Sequence, residues 1–275
     1  MTRPREPFTA ADGRLMVHQV PVWKDNLVWL VVCTETGAAA AIDGPEAGPV
    51  LAYCEAHGIT LGAIFNTHVH PDHIGINNAL QSEGKLASMR VVGSRVRPHD
   101  IPGITEQVGE GDTVQLGAVE GRVMLTEGHQ DGHISYLFGD VLFCGDTMFA
   151  GGCGYLFDGP PEKMHASLQR LAALPPETRV CCAHEYTESN LKFALSVEPG
   201  NAALVDRVAR VQVIRAEGGC TVPSTIAEER ATNPFVRVSS PELRAQLARQ
   251  APDASLETGA EIFAATRTLK NGFKG

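Results

Sequence analysis

Four side chains that commonly bind metal ions fall within six residues of this sequence. His68, His70, Asp72 and His73 stand in the segment Thr-His-Val-His-Pro-Asp-His, residues 67–73. Imidazole and carboxylate are natural ligands of zinc, manganese and iron, and a catalytic site keeps part of the coordination open to water or substrate. On an extended strand end, His68 and His70 point the same way and can share one ion. Asp72 and His73 follow a proline that redirects the chain, so they can turn toward a second ion.

Three more ligand candidates lie close to the ends of predicted strands. Asp146 and His184 follow the apolar segments 141–144 and 179–183, and His129 lies between two further strands. A histidine-rich surface loop is the simplest explanation of residues 67–73 alone. Chance placement of three further ligand types near strand ends is a poor explanation of the whole pattern. The spacing therefore predicts a metal site built where several strands end.

The elements that must position these residues form two stretches of different character, strand-rich to about residue 185 and helical beyond it. The predicted strands are 17–22, 26–33, 38–42, 61–65, 89–92, 114–116, 121–125, 134–138, 141–144 and 179–183. The predicted helices are 45–57, 72–83, one carrying Met164, Leu168 and Leu171 on its buried face, 187–197, 202–217, 241–249 and 257–270. We predict a catalytic domain over 1–185 and a helical, substrate-binding domain over 186–275, with no strand in the second.

Composition limits the classes of partner. The chain has 275 residues, of which 43% are hydrophobic, and a formal net charge of −9, so it can bury a large core but offers no concentrated basic surface for nucleic acid. The sequence shows neither a signal-peptide core nor a run of ~20 apolar residues. We therefore expect a cytoplasmic protein that binds a small molecule, neither nucleic acid nor membrane, as a monomer or weak homo-oligomer.

The cysteines are odd in number, dispersed and free of any C-x-x-C pair, so we expect reduced, packed thiols rather than a thiolate zinc site. They stand at positions 33, 54, 144, 153, 181, 182 and 220.

The order of the ligand candidates is similar to that of metallo-β-lactamase-fold hydrolases: His68-x-His70-x-Asp72-His73, then Gly128-His129, then Gly145-Asp146-Thr147, then His184. The resemblance implies an α/β fold, the αββα sandwich, with two divalent metal ions at one edge, expected to be zinc, with iron or manganese open. It implies two ligand groups, which are His68, His70 and His129 for one ion and Asp72, His73 and His184 for the other. Asp146 is implied to bridge both ions, and Asp72 and Asp146 are the expected catalytic carboxylates.

The other histidines are assigned differently. His133 completes Gly-His-Gln-Asp-Gly-His, which is similar to the family's Gly-His-Thr-x-Gly-His, so we expect it to support the ligands rather than bind metal. His18, His57, His99 and His165 have no partner in the sequence and are expected to be surface or structural residues.

Further segments resemble the hydroxyacylglutathione hydrolases, also called glyoxalase II, from about residue 20 to the carboxyl terminus. They include Ala183-His-Glu-Tyr-Thr-Glu-Ser-Asn-Leu-Lys-Phe-Ala194 and Asn233-Pro-Phe235. This resemblance implies hydrolysis of the thioester S-D-lactoylglutathione, the second step of methylglyoxal detoxification. It also implies that Tyr186, Arg267 and Lys270 contact glutathione, since cations suit a free carboxylate.

Two positions depart from that family. After Gly-Cys-Gly, where the family usually has Arg or Lys, this chain has Tyr155, and it has Phe157 where a tyrosine is common. Both remain expected substrate-binding residues, but a charged contact and a hydroxyl are missing.

Other functions of the same fold stay open at this point. A mononuclear iron enzyme that oxidises glutathione persulfide and a lactonase are the enzymatic alternatives, and a metal-binding module with closed coordination is the non-catalytic one. The acidic net charge disfavours a nuclease.

Overall fold

A computed structural model describes residues 2–274. Two β-sheets pack face to face, and helices cover their outer sides. The first sheet is antiparallel from β1 to β4 and parallel from β4 to β7. In spatial order its strands are β1 (Phe8–Ala10), β2 (Leu15–Val22), β3 (Asn26–Cys33), β4 (Ala39–Ile42), β5 (Leu61–Phe65), β6 (Arg90–Ser94) and β7 (Glu106–Val108).

The second sheet has the spatial order β15-β14-β11-β10-β9-β8, and all its pairs are antiparallel except β11 with β14. Its strands are β8 (Thr113–Leu116), β9 (Val119–Leu125), β10 (Ile134–Phe138), β11 (Val141–Gly145), β14 (Arg179–Cys182) and β15 (Ser224–Thr225). A small separate hairpin joins β12 (Met148–Phe149) to β13 (Gly152–Cys153).

The helices divide between the two outer faces. Those on the first sheet are α1 (Ala47–His57) and α2 (Gly75–Ser82). Those on the side of the second sheet are α3 (Pro161–Ala172), α4 (Thr187–Val197), α5 (Ala202–Ala216), α6 (Ile226–Thr232), α7 (Pro241–Gln250) and α8 (Gly259–Gly272). Two short 3-10 helices span Leu86–Ser88 and Pro98–Asp100.

Strand β3 shows why the sheets pack this way. Successive side chains of a strand point to opposite faces. Leu27, Trp29 and Val31 accordingly join the core between the sheets. Val28 and Leu30 join the second core, under α1 and α2. A strand buried on both faces reads as one continuous apolar run, as the sequence of β3 does.

The direction of the strands gathers the candidate ligands. Carboxyl ends of parallel neighbours meet at one edge of a sheet, and β4 with β5 and β11 with β14 are parallel pairs. Residues that follow these four strands therefore lie at two sheet edges. The edges are joined where the Leu27 N–H donates to the Ala183 carbonyl at 2.7 Å.

Two predictions about elements were wrong. The segment 186–275 contains the strand β15, which pairs with β14 of the second sheet, and a strand of two residues is too short to show alternation. The helix predicted to start at Asp72 begins at Gly75 instead. A side chain at Gly75 would collide with the Pro45 carbonyl, so the helix starts where glycine allows the chain to pass. Asp72 and His73 thus lie in a turn.

The predicted fold class is confirmed as an αββα sandwich with helices in the carboxyl-terminal part. The structure also contains β1, β7, β12, β13 and α6, which the sequence did not predict. Among residues 2–274, none of the helices combines the length and apolar character needed to cross a membrane.

Candidate metal centre

Three imidazoles converge at the end of β5. The ring nitrogens His68 Nε2 and His70 Nδ1 lie 3.0 Å apart, and His129 Nε2 lies 2.9 Å from the same atom of His70. His129 Nδ1 faces the Tyr155 carbonyl oxygen at 2.7 Å, which fixes the proton on Nδ1 and leaves the Nε2 lone pair free. Three nitrogens crowded at this spacing can bind one cation together.

A second group lies beside the first. His184 Nε2 is 3.4 Å and His73 Nε2 is 3.6 Å from Asp72 Oδ2. Asp146 stands between the two groups, with Oδ1 at 3.5 Å from His73 Nε2 and at 3.4 Å from His184 Nε2. Its other oxygen, Oδ2, is 3.5 Å from His129 Nε2. The Asp146 carboxylate therefore faces both groups of side chains.

Buried atoms without partners test whether metal ions fit here. His73 Nε2 and Asp146 Oδ1 are buried and have no hydrogen-bond partner. An unpaired buried polar atom is costly, and a cation between the two would satisfy both. Nitrogen and oxygen donors of this kind fit zinc, iron or manganese.

The two groups differ in the direction in which the pKa of their imidazoles is shifted. Burial lowers the pKa of His68 well below its usual value, and the neighbouring imidazoles add to the effect. Burial alone would also lower the pKa of His73, but the carboxylates of Asp146 and Asp43 outweigh it and raise that pKa well above its usual value. Burial would raise the pKa of Asp146, yet His73 and His184 hold it well below its usual range. Asp146 is thus held as a carboxylate, which is the charge state that a metal ligand needs.

Asp43 is a functional residue that sequence reasoning missed. It follows β4, and its Oδ2 lies 3.0 Å from His73 Nδ1 and accepts from Thr67 Oγ1 at 2.7 Å. Its Oδ1 accepts from the Thr67 backbone N–H at 2.8 Å. This turns His73 so that Nε2 faces the cluster. The only signal in the sequence was Asp43-Gly44, interpreted there as a turn.

Two residues where the β2–β3 turn meets β3 support the second group in the same manner. Asp25 Oδ1 lies 3.1 Å from His184 Nδ1, and Asn26 Nδ2 donates to Asp72 Oδ2 at 3.0 Å. Neither residue was predicted.

His133 lies beside the ligands, in the position that the sequence suggested. Its ring stacks on His68 with centroids 4.8 Å apart, and its Nε2 accepts from the Asp146 backbone N–H at 3.2 Å. All seven cysteines are buried with free thiols, in agreement with the sequence.

A cavity of about 460 Å³ opens over both groups, and its mouth is aromatic. Tyr155 and Phe157 are 50% and 62% exposed, and their rings pack with centroids 4.9 Å apart. Phe157 also packs against His70 at 5.0 Å. Tyr186 stacks on His184 with centroids 4.7 Å apart. The lining residues are His70, Pro71, Asp72, His129, Asp146, Phe149, Tyr155, Phe157, His184 and Tyr186.

The two predicted cations of α8 are not among these lining residues. Arg267 is buried, and its Nη1 donates to the Cys153 carbonyl at 3.1 Å. Lys270 is half-buried, and its Nζ donates to the Ser189 carbonyl at 3.0 Å. The structure therefore brings Tyr155, Phe157 and Tyr186 to the pocket, and gives Arg267 and Lys270 backbone partners.

Both parts of the chain match known families. Residues 33–184 match the profile of the metallo-beta-lactamase superfamily, and residues 185–273 match that of the hydroxyacylglutathione hydrolase C-terminus. The hydroxyacylglutathione hydrolase of Methylococcus capsulatus is 47% identical over 264 residues, covering 95% of this chain and 100% of that protein. The hydroxyacylglutathione hydrolase of Gloeobacter violaceus is 45% identical over 261 residues, covering 94% and 100%.

Solved structures agree on the fold. The crystal structure of ETHE1 from Myxococcus xanthus has a TM-score of 0.61 and 26% identity, covering 92% of this chain and 97% of that one. The structure of TTHA1623 in a di-iron-bound form has a TM-score of 0.56 and 24% identity, covering 80% and 100%, and shows the fold alone.

The fold and the His/Asp cluster support a binuclear site for divalent metal ions. The full-length relatives make the chain an enzyme, a hydrolase. Since both halves match and the alignments span nearly the whole length, this chain belongs to the hydroxyacylglutathione hydrolase family of the metallo-β-lactamase superfamily.

Proposed function

We propose that this enzyme hydrolyses 2-hydroxyacylglutathione thioesters, with S-D-lactoylglutathione as its main substrate, to glutathione and the free 2-hydroxy acid. This is the second step of methylglyoxal detoxification. Water adds its oxygen to the thioester carbonyl carbon, the C–S bond breaks, and the sulfur leaves as a thiolate that gains a proton. The position of Asp146 between two ligand groups, on the floor of an open pocket, carries the proposal.

The proposed ligands form two groups joined by Asp146, and the proposed ions are zinc, with iron or manganese as alternatives. The groups are His68, His70 and His129 for one ion, and Asp72, His73 and His184 for the other. When bound, two such ions supply Lewis acidity and activate water at neutral pH.

The chain's own residues would then do the orienting. Asp72 is held by the amide of Asn26, so one of its oxygens points to a fixed place at the pocket floor. From there it can bind a metal ion and accept a hydrogen bond from the attacking water. A glutathione thiol has a pKa of ~8.5, so its thiolate leaves without a strong general acid. We therefore assign Asp72 and Asp146 as the catalytic carboxylates.

Substrate contact is proposed for the aromatic mouth and the helical part. Tyr155, Phe157 and Tyr186 line the cavity and can pack against the tripeptide and its acyl group. Lys270 supplies a positive charge on α8 for a substrate carboxylate, and it would reach the tripeptide only by giving up its bond to Ser189.

We assign residues 1–185 to catalysis and residues 186–275 to substrate binding. Buried, free thiols suit a reducing compartment, so we propose a cytoplasmic enzyme, monomeric or weakly associated.

The deciding experiment compares three substrates with the purified holoenzyme after its metals are quantified. We expect about two divalent ions per chain and the fastest turnover with S-D-lactoylglutathione, followed by release of free thiol. Sulfite formation from glutathione persulfide by protein with one iron per chain would overturn the proposal in favour of a dioxygenase. Faster turnover of a lactone than of the thioester would overturn it in favour of a lactonase.

A further inference from the structure

Glu185 is a buried carboxylate that directly follows the proposed metal ligand His184. Only 8% of its surface is exposed. Within residues 2–274, the side chains that line the cavity over the metal centre do not include it. A buried carboxylate is costly unless its oxygens accept hydrogen bonds. Glu185 therefore lies beside the proposed centre but closed off from the pocket, where it can affect the centre only through its neighbours.

The carboxylate of Glu185 is fastened to the segment 220–222. Its Oε2 accepts from the Thr221 backbone N–H at 2.5 Å and from the Cys220 thiol at 3.0 Å. Its Oε1 accepts from the Thr221 hydroxyl at 2.7 Å. The hydroxyls of Thr221 and Thr187 lie 2.6 Å apart, so Thr187 can donate to Thr221 while Thr221 donates to Glu185. Both carboxylate oxygens are thus satisfied, and such a network fixes one geometry.

The segment 220–222 is itself held against the first sheet. Gln19 of β2 is buried, and its Nε2 donates to the Val222 carbonyl at 3.0 Å. Cys220 and Val222 are buried as well. The carboxylate of Glu185 therefore has a fixed anchor outside the loop that carries His184.

On its other side, the backbone of Glu185 reaches the second ligand group. The Glu185 N–H donates to the Asp25 carbonyl at 2.8 Å, and Asp25 Oδ1 lies 3.1 Å from His184 Nδ1. Asn26 forms an antiparallel bridge with His184 and donates its side-chain amide to Asp72 Oδ2 at 3.0 Å. A shift of Glu185 therefore reaches His184 directly, and it also reaches the two residues that orient His184 and Asp72.

We infer that Glu185 is a positioning residue for the second ligand group, holding His184 and its partner Asp25 to the segment 220–222. The inference rests on the proposed function in one respect, the assignment of His184 as a metal ligand. The role of Glu185 is to accept hydrogen bonds at a fixed place, so an uncharged side chain of the same shape can fill it. The carboxyl-terminal part of the chain thereby contributes to metal binding as well as to substrate binding.

The experiment measures metal binding rather than activity. Metal-free wild type, Glu185→Ala and Glu185→Gln are titrated with Zn²⁺ against a chelator of known affinity, and the visible spectrum of the Co²⁺-loaded proteins reports ligand geometry. We expect Glu185→Ala to bind one of its two zinc ions about tenfold more weakly, the lower end for residues that orient a ligand. The other ion should keep its affinity, and the cobalt spectrum should change.

The conservative variant separates positioning from charge. In Glu185→Gln the amide oxygen can accept from the Thr221 N–H and the Cys220 thiol. Its NH₂ group can donate to the Thr221 hydroxyl, which then turns its proton toward Thr187. We expect Glu185→Gln to recover most of the zinc affinity and the wild-type cobalt spectrum. Zinc binding as weak as in Glu185→Ala would overturn the inference, because the charge rather than the geometry would then matter.

The matched control is Glu188→Ala, which removes an exposed carboxylate of α4 and should leave both zinc affinities unchanged. Wild-type zinc affinities and cobalt spectrum in Glu185→Ala, even with a lowered Tm, would overturn the inference and leave a structural contact. If Glu185→Ala does not fold, Thr221→Val decides, because it removes one donor to the same carboxylate; an unchanged zinc affinity and cobalt spectrum there contradict the inference. A wild type that binds no zinc would overturn the proposed function together with this inference.

Discussion

Asp43 Oδ2 lies 3.0 Å from Nδ1 of His73, and both side chains are buried. The contact leaves only Nε2 of His73 available to the centre. Carboxylates that orient a metal-binding imidazole in this way raise its basicity and fix its ring. Asp43 therefore supports the proposed metal centre through His73, without being one of the proposed ligands.

Substitution of Asp43 tests this relationship. We expect Asp43→Ala to weaken binding of the ion at Asp72, His73 and His184 by about 10- to 100-fold, because His73 loses the partner that orients it. Metal quantification after dialysis against a chelator gradient measures the loss. Asp206→Asn, an exposed carboxylate of α5, is the control and should keep both ions. Retention of two ions at wild-type affinity in Asp43→Ala would contradict the role of Asp43.

The difference between Asp43 and the other site residues shows what the sequence could predict. His68, His70, Asp72 and His73 lie within one turn, so their spacing alone indicated a metal site. Asp43 lies 30 positions before His73 and resembled an ordinary turn residue. Only the parallel pairing of β4 with β5, which no local pattern encodes, brings the two together.

The same limit applies to the helical part. The bounds of α4 were predicted correctly, since its apolar residues follow helical periodicity. The strand β15 and the contact of Arg267 with Cys153 were not predicted. The first is only two residues long, and the second joins positions 114 apart. Sequence patterns specify faces and ends of elements, whereas partners across the molecule depend on how the elements pack.

Substitution of Asp146 is a second test of the proposed metal centre. Its two oxygens face both ligand groups, so Asp146→Ala removes a donor from each. We expect loss of bound metal and a fall in kcat of at least about 100-fold, measured by elemental analysis and thioester hydrolysis on one preparation. Asp206→Ala, at an exposed carboxylate of α5, controls for the general effect of losing a carboxylate. Full metal content with wild-type kcat in Asp146→Ala would refute the bridging assignment.

Substitution of Tyr155 tests recognition of the substrate rather than metal binding. The family usually carries Arg or Lys at this position, and Tyr155 is 50% exposed at the pocket mouth. We expect Tyr155→Arg to lower the KM for S-D-lactoylglutathione about fivefold with kcat little changed, since an exposed ion pair contributes up to ~1 kcal/mol. Added salt should reduce the gain. Val213→Arg places the same charge on exposed α5 and controls for net charge. An unchanged KM in Tyr155→Arg would show that this position does not meet a substrate carboxylate.

The lowered pKa of Lys270 leads us to expect that substrate binding depends on pH. Burial, together with the positive charge of Arg267, lowers the pKa of Lys270 from 10.5 to about 8. Because the folded pKa is depressed, the charged form is disfavoured in the fold, and the side chain loses its charge as the pH rises through about 8 rather than 10.5. If the charged amine attracts a substrate carboxylate, the KM must rise over that interval.

The measurement compares KM at pH 7 and pH 9 in wild type and in Lys270→Arg. At pH 9 only about a tenth of a group with a pKa of 8 is charged, so we expect the wild-type KM to rise about fivefold. Arginine stays charged throughout, so the rise in Lys270→Arg should be smaller. Titration of the substrate's own amine affects both proteins equally and cancels in the ratio. Parallel KM profiles for the two proteins would exclude Lys270 from charge recognition and leave its bond to Ser189 as a structural contact.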